Sequence, residues 1–469
     1  MKKLSILLVT LIVFITVNSA VAQNVKTANL SKKQSNIVDL IFKNEIVVPA
    51  QFYMLAGVQN DLFVEPIIKR WKPNDEVVRF GGNANYLRRL QRVASIKNPT
   101  DSAKITFNLI NLNNFDTLKS VKSTLLVGKP GIGNDTVAVS IIGDSFTNGA
   151  FFKDALLVKN YIPKIKLIGL RDVADVKNQF DEGRGGWTLD RFFQVSYKRT
   201  DSYNGFWQPE GDVKYWGSTH FWELANAIRL KPESNYSLEE TYYVGRFNTQ
   251  SRLFDSKTGY KINPQNNDMM FDNSLGYYVK FSAGEWVKVA YDDFIWSFNY
   301  AKYLAIWKLK SPEILAEFLG LNDFRSALDP AKINFSKWNT QLIILKNSYI
   351  KAVPNGKFVV MIPASTCGIL DNQAGDFTLK QNACMWELRK NIIQNFDKRE
   401  KENIYIVDAG IAIDGLNGYD LSTDSTFTKP FASYLGSDSI TVQVKNPHPY
   451  ANYSTMGISL AAFIQRFRK

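Results

Sequence analysis

Thr136-Val137-Ala138-Val139-Ser140-Ile141-Ile142 runs directly into Gly143-Asp144-Ser145-Phe146-Thr147-Asn148-Gly149. The first seven residues are a nearly continuous apolar run without alternation, the pattern of a strand buried on both faces. The next seven, Phe146 apart, are small or polar and break it. Further buried-strand candidates follow at 165–169, 313–319, 357–362 and 404–407. Helical patterns fall between them, Cys384 to Phe396 among them. The chain closes on an amphipathic helix over 456–464, followed by Arg466, Arg468 and Lys469. Those cations suit the negative end of a helix dipole. Strand and helix in alternation imply an α/β domain, a parallel sheet with helices on both faces.

Upstream the style differs. From Ile46 to about Val127 short strands are separated by Asn, Asp and Gly turns: 46–48, 51–55, 62–64, 104–110 and 122–127. Such spacing predicts a small β-sandwich. Lys129-Pro130-Gly131-Ile132-Gly133-Asn134-Asp135 is the sharpest punctuation in the chain and marks the boundary. The expected organisation is a signal peptide over 1–22, a linker and β-sandwich over 23–133, and the α/β domain over 134–469.

The N-terminus explains the first of these. Met1-Lys2-Lys3 is a positive segment, Leu4 to Val17 is apolar, and Ala20-Val21-Ala22 places small residues before a cleavage point at Gln23. This is the layout of a cleaved export signal, so a periplasmic or extracellular location is expected. No later stretch is long and apolar enough to span a bilayer, so no stable membrane insertion is expected after cleavage. The 469 residues are 45% hydrophobic and 22% charged, which excludes a mainly disordered or collagen-like chain. The net charge of +13 is spread out, with no block of five basic residues, which argues against a nucleic-acid partner. Cys367 and Cys384, 17 positions apart, are either a loop-closing disulfide or two buried thiols.

Four segments could carry chemistry. Ser145 follows a buried strand, at the carboxyl edge of the sheet where α/β proteins place their sites. A helix starting there would aim its amides and dipole at the hydroxyl. Glu182-Gly183-Arg184-Gly185-Gly186-Trp187-Thr188 is a glycine turn whose N–H groups can point at an anion. Gly320-Leu321-Asn322-Asp323 follows another apolar strand, and an Asn amide can donate to an oxyanion. Asn446-Pro447-His448-Pro449 holds one of only two histidines, His220 being the other. His448 suits a general base taking the Ser145 proton.

In this order the four segments resemble the blocks of the SGNH (GDSL-type) hydrolase family. The resemblance covers about 136–469 and implies a flavodoxin-like three-layer α/β/α domain. It makes Ser145 the nucleophile and His448 the base. The Ser145 N–H, the Gly186 N–H and the Asn322 side chain become the oxyanion hole. The segment around Glu182 to Thr188, with Phe206-Trp207 and Tyr215-Trp216-Gly217, is similar to exported bacterial members that carry a β-domain in front, many of them occurring with polysaccharide-degrading systems. The family usually has Asp three positions before the His; here Lys445 stands there. Another group must orient His448, or a Ser–His dyad operates, or activity is weak or lost.

An insertion of about 190–310 is rich in aromatic residues, among them Trp207, Trp216, Phe221, Trp222, Tyr242, Tyr243, Tyr277, Tyr278, Trp286 and Trp296. Most are expected in a small core, with some rings left to stack on sugars. Trp187 is the ring expected at the site, with Asp144 and Asp323 as further substrate contacts. The reading is an exported serine esterase removing acyl groups, acetyl foremost, from a polysaccharide or oligosaccharide through an acyl-enzyme, with no metal or organic cofactor. The alternatives are a non-catalytic glycan-binding protein on a degenerate hydrolase scaffold, and a lipid esterase or acyltransferase.

Overall fold

A computed structural model describes residues 44–69, 74–83, 87–89, 92–129, 135–173, 176–195, 204–218, 265–272, 276–364, 376–415, 418–419, 421–424, 440–443, 448–449 and 452–468. The export signal, the linker, most of the boundary segment, His220, the aromatic residues from Phe221 to Tyr243, Cys367, Lys445 and Asn446 lie outside them. Of the first 45 residues only Asn44 and Glu45 are described. Residues 46–469 form one compact unit.

Seven strands open that unit: β1 (Gln51–Leu55), β2 (Gln59–Phe63), β3 (Glu76–Gly82), β4 (Leu87–Arg89), β5 (Val93–Lys97), β6 (Ala103–Asn111) and β7 (Thr117–Gly128). They form a four-stranded sheet, β1-β7-β6-β3, and a three-stranded antiparallel sheet, β2-β5-β4. β6 alternates as its sequence does: Ile105, Phe107 and Leu109 are buried, and Lys104 is exposed. Side chains of both sheets share one apolar core, Phe52, Leu62, Val78, Ile96 and Phe107 among them. The sequence misses β3, β4 and β5. The stretch 46–48 makes no strand, only an Ile46–Ile68 bridge.

Next come β8 (Val137–Gly143), buried along its whole length, β9 (Ile165–Leu167), β10 (Arg171–Asp172) and β11 (Phe180–Gly183). The insertion follows. β12 (Trp207–Pro209) pairs with β17 (Trp296–Phe298), while β13 (Lys214–Ser218), β14 (Asp268–Asp272), β15 (Tyr277–Ser282) and β16 (Glu285–Val289) make a separate sheet. Trp216, Tyr278 and Trp286 are buried there; Trp207, Tyr277 and Trp296 are half-buried. β18 (Ile314–Phe318), β19 (Lys357–Ile362) and β20 (Ile404–Asp408) return to the main sheet.

The main sheet runs β10-β11-β8-β18-β19-β20, with β9 beside the first half of β8. All its pairings are parallel except β10–β11. Its helices are α1 (Ser145–Asn148), α2 (Tyr300–Ile306), α3 (Leu321–Phe324), α4 (Ser336–Ala352), α5 (Asp376–Phe396) and α6 (Tyr453–Phe467). α4 is absent from the sequence reading, and α5 and α6 extend beyond the predicted bounds. The architecture is mixed α/β. Among the described residues no helix is long and apolar enough to cross a membrane.

Candidate active site

Three neighbouring parallel strands, β11, β8 and β18, deliver three site segments at their carboxyl ends. Ser145 is the first residue of α1, directly after β8. Asp144 caps that helix, its Oδ1 accepting from the Phe146 N–H at 3.0 Å. The Ser145 N–H stands at a helix start, where no intrahelical acceptor exists. Gly320, at φ +108°, turns the chain from β18 into α3 and so places Asn322 beside Asp144. A Cβ at Gly320 would collide with Leu388, and the left-handed φ independently favours glycine.

The fourth segment comes from the far end of the chain. His448 Nε2 lies 2.6 Å from Ser145 Oγ. The imidazole packs on Phe146, ring centres 5.1 Å apart, with Tyr453 of α6 on another side at 6.5 Å. Its pKa lies below the usual histidine value because burial disfavours the cation, and the Arg325 charge pushes the same way.

The glycine turn runs from Arg184 to Trp187. The Arg184 N–H donates to the Gly143 carbonyl at 2.9 Å, and the Trp187 N–H closes the turn on the Arg184 carbonyl at 3.1 Å. Gly186 has φ +75° and is exposed, and a Cβ there would meet nothing within 4 Å. Asn322 is already engaged: its Nδ2 donates to the Trp187 carbonyl at 3.1 Å and to Asp144 Oδ2 at 3.3 Å.

Trp187 departs from expectation. Its ring is 3% exposed, packed on Phe192 with the Arg184 guanidinium 5.1 Å away. Its backbone carbonyl, not its ring, faces the site. Asp144 is buried and Asp323 accepts the Leu189 N–H at 3.0 Å, so both carboxylates brace the backbone. Burial pushes the Asp144 and Asp323 carboxyls up to about 7, and the Asp323 charge adds to the effect at Asp144. Glu317, fully buried on β18, is held well above the usual carboxylate range by burial and by these two neighbours.

Reading the sequence named Glu182 and Arg184 only as members of the glycine turn, and missed Tyr303 and Arg325. Glu182 and Arg184 form a buried ion pair, and the Tyr303 hydroxyl donates to the same carboxylate. Two opposite charges flanking Gly183 were the available signal. Among the described residues no cluster of His, Cys, Asp and Glu is arranged to hold a metal ion. A cleft of about 660 Å³, lined by Glu210, Ser297, Asn347 and Lys351 among others, shares no residue with this site.

No family model and no curated protein matches the chain. Solved structures do. A carbohydrate esterase family 3 enzyme from Talaromyces cellulolyticus is 12% identical, with 69% of this chain and 94% of that one covered and a TM-score of 0.27. A serine-to-alanine mutant of an acetyl esterase with an acetate ion is 12% identical, covering 58% and 79%, at 0.24. A carbohydrate esterase family 2 enzyme with a carbohydrate-binding domain, from Corynascus thermopiles (Myceliophthora fergusii), is 13% identical, covering 90% and 98%, at 0.27.

Proposed function

We propose that the chain is a serine esterase that removes acyl groups, acetyl foremost, from a carbohydrate. The single observation that carries this is the 2.6 Å approach of His448 Nε2 to Ser145 Oγ at the carboxyl end of the sheet. A neutral imidazole there accepts the hydroxyl proton as Oγ attacks the ester carbonyl. The new Oγ–C bond leaves a tetrahedral oxyanion. The Ser145 N–H, at the positive end of α1, and the Gly186 N–H receive that charge. Asn322 contributes its second N–H, exchanging the longer contact to Asp144 for the oxyanion.

Collapse of the intermediate breaks the C–O bond to the alcohol, which takes the proton from His448. Water, deprotonated by the same imidazole, then attacks the acyl-enzyme and releases acid and free Ser145. The scaffold in this reading is the flavodoxin-like three-layer domain of the SGNH family with a β-sandwich in front. The carbohydrate and the exported location rest on the sequence resemblance and the export signal.

The test is hydrolysis of a short aryl acetate by wild type and Ser145→Ala. Turnover lost in the variant supports the proposal. Turnover absent from both, or equal in both, overturns it in favour of a glycan-binding module. Acetate release from acetylated polysaccharide, set against longer acyl esters, then separates a carbohydrate esterase from a lipid esterase.

A further inference from the structure

We propose that Arg184 and Glu182 are positioning residues that set the Gly185–Gly186 turn, and with it the backbone N–H that receives the oxyanion. The proposal rests on the esterase reading above. Glu182 and Arg184 are both buried, 0% and 1% exposed at the side chain. The Glu182 carboxylate is held from several sides: by Arg184, by the Leu170 N–H at 2.8 Å and by the Tyr303 hydroxyl. Arg184 Nη1 also donates to the Glu182 carbonyl at 3.2 Å.

Arg184 grips the turn at both ends. Its own N–H is tied to Gly143, two positions before Ser145. Its guanidinium lies against the ring of Trp187, the last residue of the turn, and against Phe192, 5.6 Å from that ring centre. Gly186 sits between these fixed points. The Trp187 carbonyl in turn holds the Asn322 amide, so one displacement would move two of the three oxyanion donors. A buried ion pair is weak as a source of stability, since its desolvation cost offsets its attraction. Fixing a catalytic turn is what such a pair can do better than an apolar replacement.

The test uses Arg184→Met/Glu182→Gln, which removes both charges of the pair, beside Arg184→Lys, which keeps the charge and loses the fork. With an aryl acetate, kcat falls about 10–100-fold while KM stays within about threefold, the pattern of lost transition-state contacts. An alkyl boronic acid, whose boron accepts the Ser145 oxygen to form a tetrahedral anion, loses affinity by the same factor as kcat/KM. Exchange of the Trp187 amide, whose bond to the Arg184 carbonyl closes the turn, speeds up about tenfold or more, while exchange in β8 is unchanged. An unchanged kcat in the folded double variant, or a rise in KM alone, overturns the proposal. If wild type shows no Ser145-dependent turnover, the esterase reading fails by itself and exchange at the Trp187 amide still decides the positioning. Should the double variant not fold, Arg184→Lys is read by the same criteria.

Discussion

Ser145 Oγ and His448 Nε2 meet at 2.6 Å although 303 positions separate them in the chain. One hydroxyl and one imidazole acting as a unit give non-additive losses. His448→Ala lowers kcat by about 10⁴-fold, and adding it to Ser145→Ala costs almost nothing more. His220→Ala leaves kcat unchanged. Steady-state kinetics on the single and double variants check this; equal loss in the two histidine variants removes His448 from its role.

In the proposed reaction His448 works as a base only when neutral. Burial, and secondly the Arg325 charge, hold its pKa below the usual histidine value, so the acid limb of kcat/KM lies below that value as well. Arg325→Met removes the smaller cause. The limb moves toward higher pH, and the height of the plateau, read separately, reports any substrate contact that Arg325 makes. A pH–rate profile that stays in place, or moves the other way, denies the electrostatic coupling.

Asp144 carries a stability signature. Its carboxyl rises from 3.8 to about 7 in the folded protein, chiefly through burial. A raised folded pKa means that the native state holds the proton more tightly. The stabilisation is complete below about 4 and is lost as pH rises through about 7. At about 1.4 kcal/mol per unit, the upper bound is about 4 kcal/mol. Asn keeps the oxygen that accepts from Phe146 but turns an NH2 toward the Asn322 amide, a loss that does not vary with pH, so the melting temperature of Asp144→Asn relative to wild type rises steadily from about pH 4 to pH 7 and then levels off. Thermal melts across that range read the difference; a difference that stays flat or falls as pH rises contradicts it.

How much of this was legible follows from where the partners lie. β8 and β18 announce themselves because a strand buried on both faces must be apolar throughout, and the turns after them need particular residue types. β11 hid because Asp181 and Glu182 are charged residues inside a buried strand. Their partners, Gly183, Leu170, Arg184 and Tyr303, exist only after folding, and Tyr303 lies 121 positions away from Glu182. Trp187 misled for a related reason. Its place beside the turn was readable, but the cavity that swallows its ring is built from Phe192 and Arg184. β3 was obscured by Arg79 and by two glycines in a strand with one exposed face.

Two glycines of the same motif should fail differently. A Cβ at Gly183 would overlap the Asn148 backbone, so Gly183→Ala must displace α1 and costs about 1–3 kcal/mol or more. Gly186→Ala meets open space and pays only for its left-handed φ, about 1–2 kcal/mol. Urea denaturation of both variants tests the ranking, which fails if Gly186→Ala is the less stable.

The N-terminal sheets and the α/β region share side chains rather than touching as separate beads. Ile411, just after β20, is 1% exposed inside the apolar core of the N-terminal sheets. Tyr53 and Leu55 of β1 belong instead to the main core, Tyr53 edge-on to Phe463 of α6 at 5.0 Å. Arg92 bridges Glu65 and Asp414 across the same seam. Emptying the Ile411 site therefore loosens both parts together. Ile411→Ala costs about 2–5 kcal/mol, and calorimetry shows one transition moved down as a whole. Two resolved transitions, with only the lower one shifted, would mean that the N-terminal sheets fold as an independent body and that the interlocked core does not couple them to the site.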